Sequence, residues 1–425
     1  MNLRRSVTVL AAVVVTGVAG APAAFAESPS PTPSVALPSG LYGKADPSFD
    51  GVWRQSLALL AQDSVGVRPA EKAVDWLTGQ QCADGAFAPF RAEPSTACDA
   101  KTPVDTNSTA AAVQALAALG GHKKVTDKAV DWLRSVQNPD GGWGYLPKGA
   151  SDTNSTSLVI GALNAAGHSA GSVKKGGKSP FDALDSLTLP CAGKDGGAFA
   201  FQPDKPGKGD KGTAGKPKLT ANPDASAAAV LGSLGTTLAA TEGKAAAEDT
   251  CVEPGKATPE QSAVAAAKYL RGALNGGTHL MSAMPGAEDK PDFGNTADTV
   301  VALSAAGDEA AAEKALAWLE KNSADWAEQS GPAAFAQLVL AARATGSDPR
   351  AFGTTDLVAE LNSQGPAPQS QGAGGSDADK KDDAKKKDDS DDEGGSEVWW
   401  IVGAGLVAGI GVGFLFSGRN KKPRK

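Results

Sequence analysis

Histidine and cysteine are scarce in this chain of 425 residues. The histidines are His122, His168 and His279, and the cysteines are Cys82, Cys98, Cys191 and Cys251. Their spacings fit no zinc finger, which argues against a structural metal site and leaves the cysteines to pair with one another. Charge of one sign is also lacking. The net charge of −7 is mild and arises partly in one low-complexity segment, so nucleic acid is not an expected partner. No LPxTG-like motif precedes the C-terminal apolar stretch, which excludes cell-wall sorting.

What is present at the two ends implies export. Residues 1–26 combine Arg4 and Arg5, the apolar run Val7 to Val18 and the small residues Ala24-Phe25-Ala26, the pattern of a secretory signal peptide. The arginine pair also invites a twin-arginine reading, although the residues after it match that signal weakly. Val398 to Phe416 is uncharged, with Trp399 and Trp400 at one boundary and Arg419, Lys421, Lys422, Arg424 and Lys425 beyond the other. That arrangement predicts a single-pass transmembrane helix at 397–418, a basic cytoplasmic tail at 419–425 and an extracellular N-terminal ectodomain at the cell membrane. Residues 27–48 read as a Ser/Pro-rich linker and 364–396 as a disordered charged stalk. An even cysteine count in an exported chain implies two disulfides. Of the three pairings, Cys82–Cys98 and Cys191–Cys251 are preferred, closing a short loop and an insert-containing one.

Residues 49–363 are repetitive. EKAVDWLTGQ (71–80) returns as DKAVDWLRSV (127–136), with weaker echoes at 180–189, 263–272 and 312–321. These are amphipathic. A second class, richer in small residues, alternates with them: VDTNSTAAAVQALAALGG (104–121) returns as SDTNSTSLVIGALNAAGH (151–168), with looser versions at 221–235, 293–307 and 330–346. Helices apolar nearly all round are buried on more than one face. Adding 49–62 and 354–362 gives six of each class. The fold class is therefore all-α: an (α/α)6 toroid of inner and outer helices, with an open α-solenoid as the alternative.

Between the two classes lie QQCADGAFAPF (80–90), QNPDGGWGYLP (137–147) and CAGKDGGAFAFQP (191–203). This pattern resembles the QW-type repeat of the squalene cyclase and protein prenyltransferase superfamily, and the resemblance implies an α/α toroid with Phe87, Trp143 and Phe199 packed between helices. It does not imply an activity. The cyclase acid D-x-D-D and the diphosphate motif D-D-x-x-D occur only within DDSDD (388–392), in the stalk, where no pocket can raise a carboxyl pKa. A prenyltransferase-type zinc set and the complement-type Cys-Gly-Glu-Gln thioester are missing. No cofactor is implied.

If the ring is right, the inner-helix N-termini share one mouth. Asp105-Thr106-Asn107, Asp152-Thr153-Asn154, Asp224, Asn295 and Asp298 are then the candidate ligand-binding residues, each with an N-cap as its plain alternative. The helix DTNSTAAAVQALAALG (105–120) is similar to the inner helices in the α-domain of intrinsic factor and transcobalamin, the cobalamin carriers. That resemblance implies a corrinoid-like small ligand at the mouth, and a membrane transporter as recipient. The β-domain that covers the ligand in that family has no counterpart here. The expectation is a binding protein without catalysis. The alternatives are a terpenoid-cyclase-like or glycan-active enzyme using inward carboxylates, or a protein-docking module with the basic insert KPGKGDKGTAGKPK (205–218) as a contact.

Overall fold

A computed structural model describes residues 37–204, 218–244, 250–282 and 289–370. The segments read as signal peptide, apolar span and basic tail, residues 27–36 of the linker, residues 371–396 of the stalk and all but the last residue of the insert 205–218 lie outside the described residues. Among the described residues no helix is long and apolar enough to cross a membrane. The chain divides after Leu37, and the described helices belong to the unit that begins at Pro38.

Among the described residues, thirteen α-helices make up nearly all of the regular structure. Six form an inner ring: α1 (Gly51–Ser64), α3 (Thr106–Leu119), α5 (Thr153–Ala165), α7 (Pro223–Leu234), α9 (Phe293–Ala305) and α12 (Pro332–Ala344). Each packs against the next, and α12 packs against α1. The ring closes, so the open solenoid is excluded. Six others lie outside: α2 (Glu71–Gly79), α4 (Lys123–Ser135), α6 (Pro180–Ser186), α8 (Pro259–Ala273), α10 (Glu309–Asn322) and α13 (Leu357–Ser363). Each packs on the inner helix before it. A short helix, α11 (Ala324–Ser330), precedes α12 and has no counterpart in the sequence pattern.

The two helix classes follow from composition. In α3 every residue from Thr106 to Leu116 is buried, because Ala and small polar side chains let neighbouring backbones approach on both flanks. In α4 only Thr126, Ala129, Val130, Trp132 and Leu133 are buried, a single stripe at helical spacing. Its opposite face carries the exposed Lys123–Asp127 pair, which at 2.7 Å in solvent contributes little.

The joints between repeats explain both the glycines and the hydroxyls. Gly85 and Gly141 sit at φ +103° and +91°, and a Cβ there would fall 2.1 Å from the Lys128 carbonyl oxygen and 2.2 Å from that of Ser179. Only glycine lets the turn settle onto the next outer helix. Phe87, Trp143 and Phe199 are fully buried behind these turns, and Trp143 Nε1 donates to the Leu133 carbonyl at 2.7 Å. The backbone N–H of each aromatic residue donates to a hydroxyl four positions beyond an inner-helix cap. Phe87 N–H reaches Thr109 Oγ1 at 2.9 Å, Trp143 reaches Thr156 at 3.0 Å, and Phe199 reaches Ser226 Oγ at 2.9 Å. Leu280 N–H repeats the bond with Thr296 at 3.0 Å. A buried N–H left unpaired costs about 1–3 kcal/mol, so the final Thr of DTNST is held by the joint.

Both preferred disulfides are present, Cys82–Cys98 and Cys191–Cys251. The domain edges move outward from the sequence reading. Tyr42, placed in the linker, is fully buried, and its hydroxyl donates to the Pro366 carbonyl at 3.1 Å. Gly43 N–H donates to the Gln364 carbonyl at 2.8 Å, and Gln62 Nε2 bonds Tyr42 Oη and Asn362 Oδ1 at 2.9 and 2.6 Å. Residues 38–48 and 364–370 therefore belong to the toroid as the seam that closes it, because these contacts join segments some 300 residues apart in sequence.

Candidate functional site at the toroid mouth

The first and middle turns of α1, α5, α7, α9 and α12 share one cavity. Trp53 and Leu57 of α1, Asn154, Ser157 and Leu158 of α5, Asp224 and Leu231 of α7, Asp298 and Val301 of α9, and Gln337 of α12 line it. The last turns of α1, α3, α5 and α12 line a second cavity of about 300 Å³, with Asp63, Ala117, Ala165 and Arg343. N-terminal residues thus gather at one end and C-terminal residues at the other, so the inner helices run parallel, as the repeat implied.

A loop separates the two cavities. After α7 the chain turns at Gly235 in the left-handed region, and Thr236 to Thr241 crosses the bore. Gln114, from the middle of α3, holds it: Oε1 accepts from Leu238 N–H at 2.9 Å, while Nε2 donates to the Leu158 carbonyl at 3.0 Å. Gly161 gives the loop room, since a Cβ there would lie 2.7 Å from Thr236 O. Gly243 N–H then bonds the Ser304 carbonyl at 2.9 Å. With the loop in place, the cavity at the mouth is only about 60 Å³.

Two carboxyls dominate that cavity. Asp224 Oδ2 accepts from Asn154 Nδ2 at 2.7 Å, and Asp298 accepts from Gln337 Nε2 at 3.1 and 3.3 Å. The order around the ring, α5–α7–α9–α12, is amide, acid, acid, amide. Both carboxyls keep some accessible surface because they face the cavity, yet protein surrounds them. Burial raises the pKa of Asp224 well above the carboxylate range, reinforced by the negative charge of Asp298 and opposed by the Asn154 bond. Burial likewise raises Asp298 to about 7, against the Gln337 bond. No Lys, Arg or His is among the lining residues.

The nine candidate residues fall into distinct environments. Asn154, Asp224 and Asp298 line the cavity. Asp105 and Asp152 are N-caps turned back on their own helices. Asp105 accepts from Ser108 N–H and Oγ at 2.7 and 2.8 Å, and Asp152 from the same groups of Ser155 at 2.7 and 2.9 Å. Burial lifts each to about 6 despite these bonds. Thr153 Oγ1 donates to the Ala200 carbonyl at 2.6 Å. Asn295 is not a helix start: the caps of α7 and α9 are Asn222 and Asp292, and Asn295 Nδ2 donates to Asp292 at 2.8 Å. Thr106 and Asn107, on the first turn of α3, lie outside the cavity lining with Thr106 Oγ1 and both Asn107 amide atoms unpartnered.

Sequence reading missed Trp53, Gln114, Ser157, Gln337 and the loop across the bore. The usable signal was the interruption of small-apolar helices by Gln114 and Gln337. Among the described residues no cluster of His, Cys, Asp and Glu could hold a metal ion.

Residues 53–205 match the family model of the prenyltransferase alpha-alpha toroid domain. That stretch is similar to the α/α toroid domain of prenyltransferases, the fold its turn motifs imply. No curated protein matches the sequence. A protein from Actinoplanes is similar in structure at 14% identity and TM-score 0.46, over 73% of this chain and 94% of that one. An ent-copalyl diphosphate synthase from Streptomyces platensis is similar at 14% identity and TM-score 0.44, over 70% of this chain and 50% of that one. A type II terpene cyclase from Scytonema, in complex with merosterolic acid A, is similar at 17% identity and TM-score 0.42, over 71% and 84%.

Proposed function

We propose that this protein is a cell-surface binding module that captures a small ligand at the mouth of the toroid and does not transform it. The observation that carries this reading is the blocked bore. The loop Thr236–Thr241 lies between the two cavities and leaves about 60 Å³ at the mouth, so a ligand has access to the mouth and little beyond it. Unpartnered polar atoms at that end, on Thr106, Asn107, Asn154 and Ser157, suit a ligand rich in amides or hydroxyls. A corrinoid-like molecule has that character, and the DTNST helices support it by resemblance. Anchorage through 397–418, with transfer to a membrane transporter, completes the proposal. Titrating the full chain with corrinoids and following their visible absorbance tests it, with saturable binding as the expected result. Absence of a spectral change at high micromolar ligand would overturn the corrinoid version.

A second reading rests on one specific observation, the protonatable pair Asp224–Asp298 in an apolar setting, which is suited to general-acid work on an isoprenoid. It requires the loop to leave the bore. It expects turnover of a polyprenyl substrate that Asp298→Asn abolishes while the fold survives.

A further inference from the structure

Two carboxyls, Asp224 and Asp298, face the mouth cavity. All three lining amides already donate within the protein: Asn154 Nδ2 to Asp224, Gln337 Nε2 to Asp298 and Gln114 Nε2 to the Leu158 carbonyl. Asn154 is 3% exposed and Ser157 4% exposed, and Asn154 Oδ1 and Ser157 Oγ have no partner. A buried acceptor without a donor is costly, so the cavity is complementary to a group that brings N–H bonds. Charge points the same way. Asp152 and Asp292 add their fields to that of Asp224. The inner-helix dipoles oppose a cation, each with roughly half a positive charge at its N-terminus, but Asp105, Asp152 and Asp292 already cap three of them. The walls are apolar, from Leu57, Leu158 and Val301, with the aromatic Trp53 beside them. At about 60 Å³ the space admits one small group, such as the end of a chain projecting from a larger molecule.

We propose that this cavity seats the ammonium end of an alkylamine, with Asp224 and Asp298 as counter-charges, Asn154 Oδ1 and Ser157 Oγ as further acceptors, and Trp53 beside the methylenes. This rests on the reading of the mouth as a capture site and specifies the group that enters it. The ammonium belongs either to a free amine or to a lysine side chain of a polypeptide. Because Asp298 titrates near 7 and Asp224 is also raised, the cation displaces protons at low pH, and binding strengthens as pH rises. Asp152, also raised by burial, acts in the same direction, and the amides of Asn154 and Gln337 do not titrate.

The test is calorimetric titration of the full chain with n-butylammonium, Nα-acetyl-lysine amide and n-butanol at pH 6 and pH 8, with a corrinoid in parallel. The expected result is binding of both ammonium probes, at least tenfold tighter at pH 8, and no binding of butanol. Tighter binding of the lysine probe assigns the source to a polypeptide, and tighter binding of butylammonium assigns it to a free amine. Asp298→Asn and Asp224→Asn should each weaken binding at least tenfold with unchanged circular dichroism. Ser157→Ala, which removes a hydroxyl with no partner to lose, should weaken it about threefold and stands in if the Asp variants misfold. Butanol binding as well as butylammonium overturns the proposal. Corrinoid binding without ammonium binding also overturns it and leaves the capture reading standing. Silence of every probe removes both.

Discussion

At Asp298 the folded protein holds a proton that the unfolded chain gives up near pH 4. Its folded pKa is about 7, raised chiefly by burial. The sign of the linkage follows: the group contributes its full stability below pH 4, and this is lost as pH rises through 7. Asp105 and Asp152, at about 6, act with the same sign over a narrower window. Asp298→Asn should therefore flatten the decline between pH 4 and 7 and stabilise the protein at pH 8 by roughly 1–2 kcal/mol, discounted for the accessible cavity face. Thermal unfolding of both proteins across that range checks it. The candidate residues also show why function was hard to separate from capping by sequence. In DTN the cap turns back to the residue three ahead, and the Asn two places on can face the bore. Asp152 and Asn154 do so, and the sequence carries no mark that tells the two apart.

Among the elements, the loop after α7 decides what the bore can contain. Gly243 lies so close to α9 that a Cβ would fall 1.9 Å from the Ala305 carbonyl oxygen. Gly243→Ala should lift the end of the loop, at a cost of about 1–3 kcal/mol for the overpacking. Hydrogen exchange should then quicken over 236–243 while α3 and α5 keep their protection; uniform loss of protection would show that the loop is part of the global folding unit. Nothing local announced this loop. Its anchors are one glutamine on α3 and one carbonyl on α9, both remote in sequence. The repeats were legible because each joint reuses the same glycine, aromatic and hydroxyl, whereas the loop occurs once.

For the whole molecule, closure replaces the capping repeats that an open array would need. The seam of Tyr42, Gln62, Asn362 and Gln364 ties both ends of the ring, and two disulfides add covalent closure within it. They bridge separations of 16 and 60 residues. Loop-closure entropy then assigns them about 3 and about 4 kcal/mol. Reduction should lower the urea midpoint accordingly, and Cys191→Ala with Cys251→Ala should cost more than the Cys82 and Cys98 pair. The reverse order would mean that strain, not chain entropy, sets their worth.

Periodicity, turn chemistry and cysteine parity, read from the sequence alone, were enough to determine an all-α array of six hairpins and the presence of two disulfides, with a ring and the Cys82–Cys98 and Cys191–Cys251 pairing as the preferred arrangement. Those features are local or repeated, and each repetition confirms the last. Only the tertiary structure decided that the ring closes through segments assigned to linker and stalk, that a loop blocks the bore, and that Asp224 and Asp298 meet there. Those outcomes depend on contacts between distant parts of the chain. A carboxyl's position on a helix says little about its neighbours until the ring brings four helices around it.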